Sequence, residues 1–353
     1  MKKLKLGVIF GGMSTENEVS CVSGVSVIKN LDKGKYDVCP IYIDKTGNWF
    51  EVLELEENEK LGEELEHKKT IDNIMEFLKT FDVVFPVLHG LYGEDGTIQG
   101  LLEMLKIPYV GCGVLASSVG MDKVYSKIIF DKIGLKQSKY VYLRKYKDNY
   151  IFIDDKFNEK VLEIDEISNI ITKMLKFPMF VKPSNSGSSV GVSKVNCEEE
   201  LKKAIAQASN FDRKILIEEG IVGKEVECGV LGNEDVISSC VGEVLSADSF
   251  YSYDAKYNNQ ESKVLIPSDI SEKKSEEIRK LAIKAFKAIG GSGLSRVDFF
   301  VEKDTENVFI NEINTLPGFT SVSMYPMLFA NVGVEYGELL DRLVQLAFKN
   351  NIL

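Results

Sequence analysis

Leu6-Gly-Val-Ile-Phe10 is a short apolar run that ends in Gly11-Gly12, and the stretch from Val19 to Leu31 behind it carries helical periodicity. A strand that stops at glycine and feeds a helix is the opening unit of a parallel sheet, because parallel neighbours must be joined by a crossover. Ser14 or Thr15, with glutamates shortly after, reads as the helix N-cap. Asp37 to Ile43 and the fully apolar Phe81 to Leu88 are further strands, Thr97 to Leu105 is a helix, and Pro108 to Gly111 is another short strand. The alternation predicts a doubly wound parallel sheet over residues 1–120. Within it, Glu51 to Thr70 is dense in Glu and Lys and reads as an exposed stretch.

The pattern then changes. Met121 to Gly134 reads as a helix, and Leu143 to Phe177 as a loop and a second helix. Phe177 to Val181 leads into a Gly/Ser-rich loop at Ser184 to Ser189. Val190 to Val195 is a strand, Glu198 to Ser209 a helix, and Lys214 to Glu219 a strand. Strands follow at Val226 to Leu231 and Val236 to Val244, then a polar, tyrosine-rich loop at Ser249 to Asn259. A helix from Glu272 to Ile289 precedes strands at Leu294 to Val301 and Val308 to Ile313. With 353 residues, more than one domain is required. We divide the chain into three α/β domains over 1–120, 121–214 and 215–353.

Composition excludes some functions and leaves others open. A formal charge of −11, with both signs interleaved, argues against a general nucleic-acid surface, which needs a basic face. It does not exclude a polyphosphate ligand held at a locally basic site. The six cysteines stand without a CxxC or a Cys/His cluster, which suits reduced thiols in a cytoplasmic protein. The apolar run after the basic start is too short for a signal peptide, and no run is long enough to span a membrane.

Chemistry concentrates in Arg296-Val-Asp298 and Asn311-Glu312-Ile-Asn314, which read as facing strands of a hairpin. Alternate residues of a strand share a face, so Arg296 and Asp298 point one way, as do Glu312 and Asn314. Three oxygen donors without His or Cys suit magnesium or manganese, and the guanidinium beside them suits an oxyanion. Taken alone, the same residues could form an exposed hairpin with cross-strand ion pairs. Thr315-Leu-Pro317-Gly318 offers backbone N–H groups to a ligand or is an ordinary turn. Lys182-Pro-Ser-Asn-Ser-Gly187-Ser188-Ser189-Val-Gly191 is a lysine-led loop able to cover phosphates. It lacks the Walker A order, and Gly11-Gly12 lacks the dinucleotide-binding glycine pattern. His89, at a strand end, is expected to line a site, whereas His67 is expected at the surface.

Together these elements resemble the ATP-grasp superfamily, specifically the D-alanine–D-alanine ligases. The resemblance rests on Gly11-Gly-x-Ser-x-Glu16-x-Glu-Val-Ser20, Leu88-His89-Gly90-x-x-Gly-Glu94-Asp-Gly96, Met121-Asp-Lys123, Lys182 through Gly191, Tyr253-x-Ala-Lys256-Tyr257, Arg296-x-Asp298 and Asn311-Glu-x-Asn314-Thr-x-Pro-Gly318. It spans nearly the whole chain with its motifs in order, and implies a three-domain ATP-grasp ligase whose N-terminal domain is doubly wound.

The resemblance further implies ATP between the second and third domains. Lys123, Lys182 and Lys256 would hold its phosphates, and Glu218, Glu225 and the backbone near Glu219 and Ile221 its adenosine. The family often has lysine at the position of Glu219, so the expected contact there is through the backbone. Asp298, Glu312 and Asn314 would hold two magnesium or manganese ions. Glu16 would take the ammonium of the first D-alanine, with His89 nearby, and Ser323 the carboxylate of the second. Arg296 and the Gly318 N–H would form an oxyanion hole, while Tyr257 would bond with Ser188 and Glu16 to close the site. Relatives that confer glycopeptide resistance use D-lactate or D-serine second. The lactate type generally lacks the Lys256-Tyr257 pair. The serine type tends to place Arg where this chain has Met324 and Phe where it has Tyr251. D-alanine is therefore the expected second substrate and D-serine the alternative. A homodimer is expected by family analogy.

Overall fold

The computed structural model describes residues 2–54, 67–245, 263–320 and 322–350. Tyr251, Lys256 and Tyr257, and with them the tyrosine-rich loop expected at Ser249 to Asn259, lie outside the described residues.

The first sheet has the order β4-β3-β2-β1-β5, built from β1 (Leu4–Gly11), β2 (Tyr36–Ile43), β3 (Trp49–Val52), β4 (Lys68–Thr70) and β5 (Val83–Pro86). β1 is parallel to both β2 and β5, as the opening pattern predicts. Alternation decides the two cores. Leu6, Val8, Val83 and Phe85 face one side with Val27 of α1 (Asn17–Asn30), whereas Ile9, Ile41 and Val84 face the other with Ile98 and Leu102 of α3 (Thr97–Met104). The first core also receives Leu340, Leu343, Val344 and Ala347 of the C-terminal helix α10 (Tyr336–Asn350). Tyr36 and Lys35 fasten that helix through Asp341. The last helix of the chain therefore helps to cover the first sheet.

Three expectations for this region change. Two antiparallel strands at the two ends of the charged stretch, β3 and β4, add to the β2 side, so the sheet is parallel from β2 through β1 to β5 and antiparallel at the other edge. Pro108 to Gly111 forms only an isolated bridge between Tyr109 and Val84. Finally, Ser14 does not cap α1: Glu16 occupies the N-cap position, and the Ser14 hydroxyl donates instead to the His89 carbonyl at 2.6 Å.

The helix expected over Met121 to Gly134 is α5 (Lys123–Lys132), and an unexpected helix, α4 (Val114–Met121), precedes it, separated at Asp122, whose carboxylate caps α5 at Val124 and Tyr125 N–H. The stretch from Leu143 is corrected more substantially. It holds an antiparallel meander, β6 (Tyr140–Tyr146), β7 (Asn149–Ile153) and β8 (Glu159–Leu162), before α6 (Ile164–Met174). The second sheet runs β10-β9-β11-β6-β7-β8, adding β9 (Met179–Pro183), β10 (Ser193–Val195) and β11 (Lys214–Glu219). One face packs on α6 and on Leu201, Ala204, Ile205 and Ala208 of α7 (Glu198–Ala208), a helical stripe. The opposite face turns Lys182 and Glu218 towards the cleft. Because β11 pairs with both β6 and β9, sheet membership changes after Glu219, not at 214.

The third sheet has the order β14-β13-β12-β15-β16 and comprises β12 (Gly223–Leu231), β13 (Ile237–Leu245), β14 (Lys263–Leu265), β15 (Leu294–Glu302) and β16 (Val308–Asn314). Val226, Cys228, Val297 and Phe299 face α8 (Glu272–Ala288), which offers Ile278, Ala282, Ala285 and Phe286. Their strand neighbours, Glu227, Arg296 and Asp298, lie on the opposite face. A β-bulge then changes the phase of β16: Phe299 pairs with Ile310 but Asp298 with Glu312, which leaves Asn311 as the extra residue. Ile310 and Ile313 can therefore both enter the core while Glu312 faces outward. Among the described residues, no helix is long and apolar enough to cross a membrane.

Candidate active site

The faces of the second and third sheets that turn away from their helices enclose a cleft of about 650 Å³, and the first sheet contributes Glu16 and His89 to its end. Every described site residue expected from the sequence lines this cleft except Asp298, which lies beneath Arg296 and is 3% exposed.

At the first-sheet end, Glu16 is buried and accepts a hydrogen bond from the Ser188 hydroxyl of the Gly/Ser-rich loop. Its carboxylate is wedged between two glycines. A Cβ at Gly90 would lie 2.5 Å from Glu16 Oε2, and one at Gly187 2.7 Å from the same atom. Ser188 and Ser189 have φ of +43° and +59°, a left-handed conformation that costs energy for residues with a Cβ. His89 is buried, with Nε2 3.0 Å from Ser23 Oγ and Nδ1 3.8 Å from Glu94 Oε1. Ser23 also accepts from the Phe319 N–H at 3.4 Å, so one hydroxyl links His89 to the segment after Gly318. Sequence reading missed Ser23. Its signal was a serine on the apolar face of α1, where a small polar group needs a partner.

Lys123 and Lys182 line the second-sheet wall, with Lys127 buried behind it. Lys182 Nζ lies 2.5 Å from Glu218 Oε1, and Lys127 Nζ 2.8 Å from Glu218 Oε2. Burial alone would push the Glu218 carboxyl up, but Lys127 and then Lys182 overcome this and hold it at about 2. Lys123 begins α5, donates to the Ser186 carbonyl at 2.7 Å and lies 3.5 Å from Glu312. Asp122 supports both sides of this corner. Besides capping α5, it accepts from Ser184 at 2.6 Å and pairs with Lys214, tying the start of the Gly/Ser-rich loop to the helix. Neither Asp122 nor Lys127 was singled out from the sequence, although Lys127 stands four residues after Lys123 and so shares its helix face. The Glu219 side chain turns away and accepts from the Lys176 N–H at 2.9 Å.

The third-sheet wall is rich in carboxylates. Arg296 grips Asp298 with Nε at 2.8 Å and a terminal nitrogen at 2.7 Å, and its Nε lies 3.0 Å from Glu227. Burial opposes the charge of Arg296, but Asp298 and then Glu227 hold its pKa well above the usual guanidinium range. Asn314 donates to Asp298 at 3.0 Å. Arg296 pairs in register with Asn314 and Asp298 with Glu312, so the expected grouping of these four residues on one face holds. Among the described residues, no three Asp, Glu, His or Cys side chains form a ready-made metal cage. The all-oxygen set fits a hard cation that takes one or two carboxylates from the protein and completes its shell with phosphate and water. Beyond the hairpin, the Ser323 hydroxyl accepts from Thr320 N–H at 2.9 Å at the start of α9 (Met324–Asn331). Met324 packs with Val244 and Leu328.

Comparison with known proteins fits this geometry. The family model described as D-ala D-ala ligase N-terminus matches residues 5–112, and that described as D-ala D-ala ligase C-terminus matches residues 129–345. A D-alanine--D-alanine ligase of Acetivibrio thermocellus is 47% identical over 98% of this chain and 96% of its own length. One from Clostridium novyi is 46% identical over 99% of both. Among solved structures, the VanG D-Ala:D-Ser ligase of Enterococcus faecalis superposes with a TM-score of 0.84 at 34% identity, covering 98% of this chain and all of the other (100%). The D-alanine-D-alanine ligase of Coxiella burnetii gives 0.80 at 30%, covering 99% and 95%. Matched in both halves and nearly half identical to full-length relatives, the chain belongs to the D-alanine–D-alanine ligase family of ATP-dependent ligases.

Proposed function

We propose that this protein joins two D-alanine molecules into D-alanyl-D-alanine at the expense of ATP, in the cytoplasm, for peptidoglycan synthesis. The observation that carries this reading is the convergence of Glu16, Ser188, Arg296 and Gly318 on the cleft that also holds Lys123, Lys182 and the oxygen donors of β16.

A carboxylate is a poor electrophile, so its oxygen first attacks the γ-phosphorus of ATP, releasing ADP and forming an acyl phosphate. The amine of the second D-alanine then attacks the carbonyl carbon, and phosphate leaves with the bonding pair. Lys123 and Lys182 hold the phosphates. Lys256 belongs with these two lysines, while Glu218, Glu225 and the chain at Glu219 and Ile221 bind the adenosine. Asp298, Glu312 and Asn314 would hold magnesium or manganese, whose charge would offset that of the phosphates. Glu16 receives the ammonium of the first D-alanine. Its acceptor oxygens suit that cation, and Ser188 with Tyr257 fixes them. Arg296 and the Gly318 N–H face the oxygen that becomes negative when the amine adds. Ser323, at the N-terminus of α9, takes the carboxylate of the second substrate, where helical N–H groups favour an anion.

D-serine as second substrate is the other reading, supported by likeness to a D-Ala:D-Ser ligase. Met324, buried among apolar neighbours, favours a methyl over a hydroxymethyl group. One such contact discriminates by about 1–3 kcal/mol. The deciding experiment supplies ATP with D-alanine, D-serine and D-lactate together and identifies the product. D-alanyl-D-alanine is expected to dominate. Predominance of D-alanyl-D-serine would replace this reading with the other, and phosphate release no faster with D-alanine than with other amino acids would remove both.

A further inference from the structure

Lys127 is a fully buried charged side chain for which the ligase reaction, as laid out above, has no use. It lies on α5 one turn beyond Lys123, is 2% exposed, and does not border the cleft. Its Nζ lies 2.8 Å from one oxygen of Glu218, while Lys182, which does border the cleft, lies 2.5 Å from the other. On its far side the Lys127 ammonium sits 5.3 Å from the centre of the Tyr140 ring, and the Tyr140 hydroxyl is held by Asp131 at 2.7 Å. The carboxylate thus has one cation behind it in the protein and one in front of it at the cleft.

The two lysines are not equivalent. A nucleotide phosphate competes with Glu218 for Lys182, because both are anions and only Lys182 can reach the cleft. Withdrawing the sole partner of a buried charge is heavily unfavourable, since the charge left behind is neither hydrated nor paired. With a second cation already in ion-pair contact with the other oxygen, Glu218 keeps a partner when Lys182 moves. We propose that Lys127 is a positioning residue for nucleotide binding: it holds Glu218 from behind and so releases Lys182 to the phosphates of ATP. The low pKa of Glu218 fits a carboxylate that remains an anion throughout. The proposal rests on the nucleotide occupying this cleft, and therefore on the ligase reading above.

The test is Lys127→Met in the full chain, read by calorimetric titration with MgATP and by steady-state dipeptide formation. The expected result is MgATP affinity weakened by about tenfold or more, with KM for ATP rising in proportion. The kcat at saturating ATP and KM for D-alanine should stay within about threefold of wild type. Lys127→Arg, which keeps the charge, should recover most of the affinity. A merely structural role would instead lower the melting temperature and depress kcat without a selective effect on ATP. Should Lys127→Met fail to fold, Lys127→Gln is read by the same measures. A folded variant whose MgATP affinity lies within about twofold of wild type would overturn the proposal. If wild type binds MgATP but forms no dipeptide, the ligase reading falls, and the titration still decides the role of Lys127.

Discussion

The two walls of the cleft handle charge in opposite ways. On the second-sheet wall, Lys127 and Lys182 hold the two oxygens of a single carboxylate, Glu218, and the cleft itself is lined by Lys182 and by Lys123, whose ammonium reaches across to Glu312, so the wall is cationic. On the third-sheet wall, Glu227, Asp298 and Glu312 surround a single Arg296, so the wall is anionic and would need a cation of its own to meet phosphate. The difference assigns separate tasks. On the proposed reading, one wall would bind the nucleotide by ion pairing, while the other would hold magnesium or manganese and keep its guanidinium for the reacting carbonyl.

Glu312→Gln should break the anionic wall most severely. It keeps size and hydrogen bonding but removes the charge that a hard cation needs. We expect dipeptide formation to fall by at least about a hundredfold, with the melting temperature nearly unchanged. Near-normal turnover at ordinary magnesium concentration would mean that the cation binds elsewhere.

A smaller effect on the opposite wall is expected from Asp122→Asn. The variant retains a good helix cap but loses its charge opposite Lys214, a largely buried pair. Stability should drop by about 2–3 kcal/mol. KM for ATP should rise a few-fold as Lys123 and the Gly/Ser-rich loop lose their common anchor, while KM for magnesium at saturating ATP stays put. Thermal melts and initial rates read both. An equal rise in both KM values would merge the walls into one unit.

The smallest effect concerns acid stability. Glu218 is held at about 2 in the folded protein against an ordinary 4.5. A depressed folded value means that its stabilisation is fully present above the unfolded pKa and lost as pH falls through the folded one. Asp122 is depressed as well: burial acts to raise it, and hydrogen bonds from Lys214 and Ser184 more than offset this. Denaturant melts of wild type should therefore weaken between about pH 4.5 and 2. Glu218→Gln should start less stable and show a shallower slope over that window. Parallel slopes would mean that the cationic wall contributes nothing to acid unfolding.

Much of the architecture was legible in local pattern. The first strand and helix, the strand at Lys214 to Glu219 and the paired strands around Arg296 follow from apolar runs and turn residues that each element carries in its own sequence. The meander from Tyr140 to Leu162 was not legible, because its strands are short, polar on one face and joined by brief turns, so their pairing partners rather than their own composition decide them. The site divides in the same way. The site residues assigned from the motifs line that cleft where they are described, except Asp298 beneath Arg296, whereas Lys127, Ser23 and Glu227 act through partners far away in sequence and carry no motif signal of their own.

The hairpin marks the boundary most clearly. Sequence alone determined that Arg296, Asp298, Glu312 and Asn314 belong together and that oxygen donors beside a guanidinium suit phosphate chemistry. It could not reveal that Asn311 is an extra residue. Under strict alternation Glu312 would share a face with Ile310 and point into the core beneath α8. The bulge opposite Asp298 and Phe299 reverses that phase. Only the pairing of two strands, each with one face committed to a packed core, decides where such a residue is inserted, and so which side of the sheet carries the chemistry.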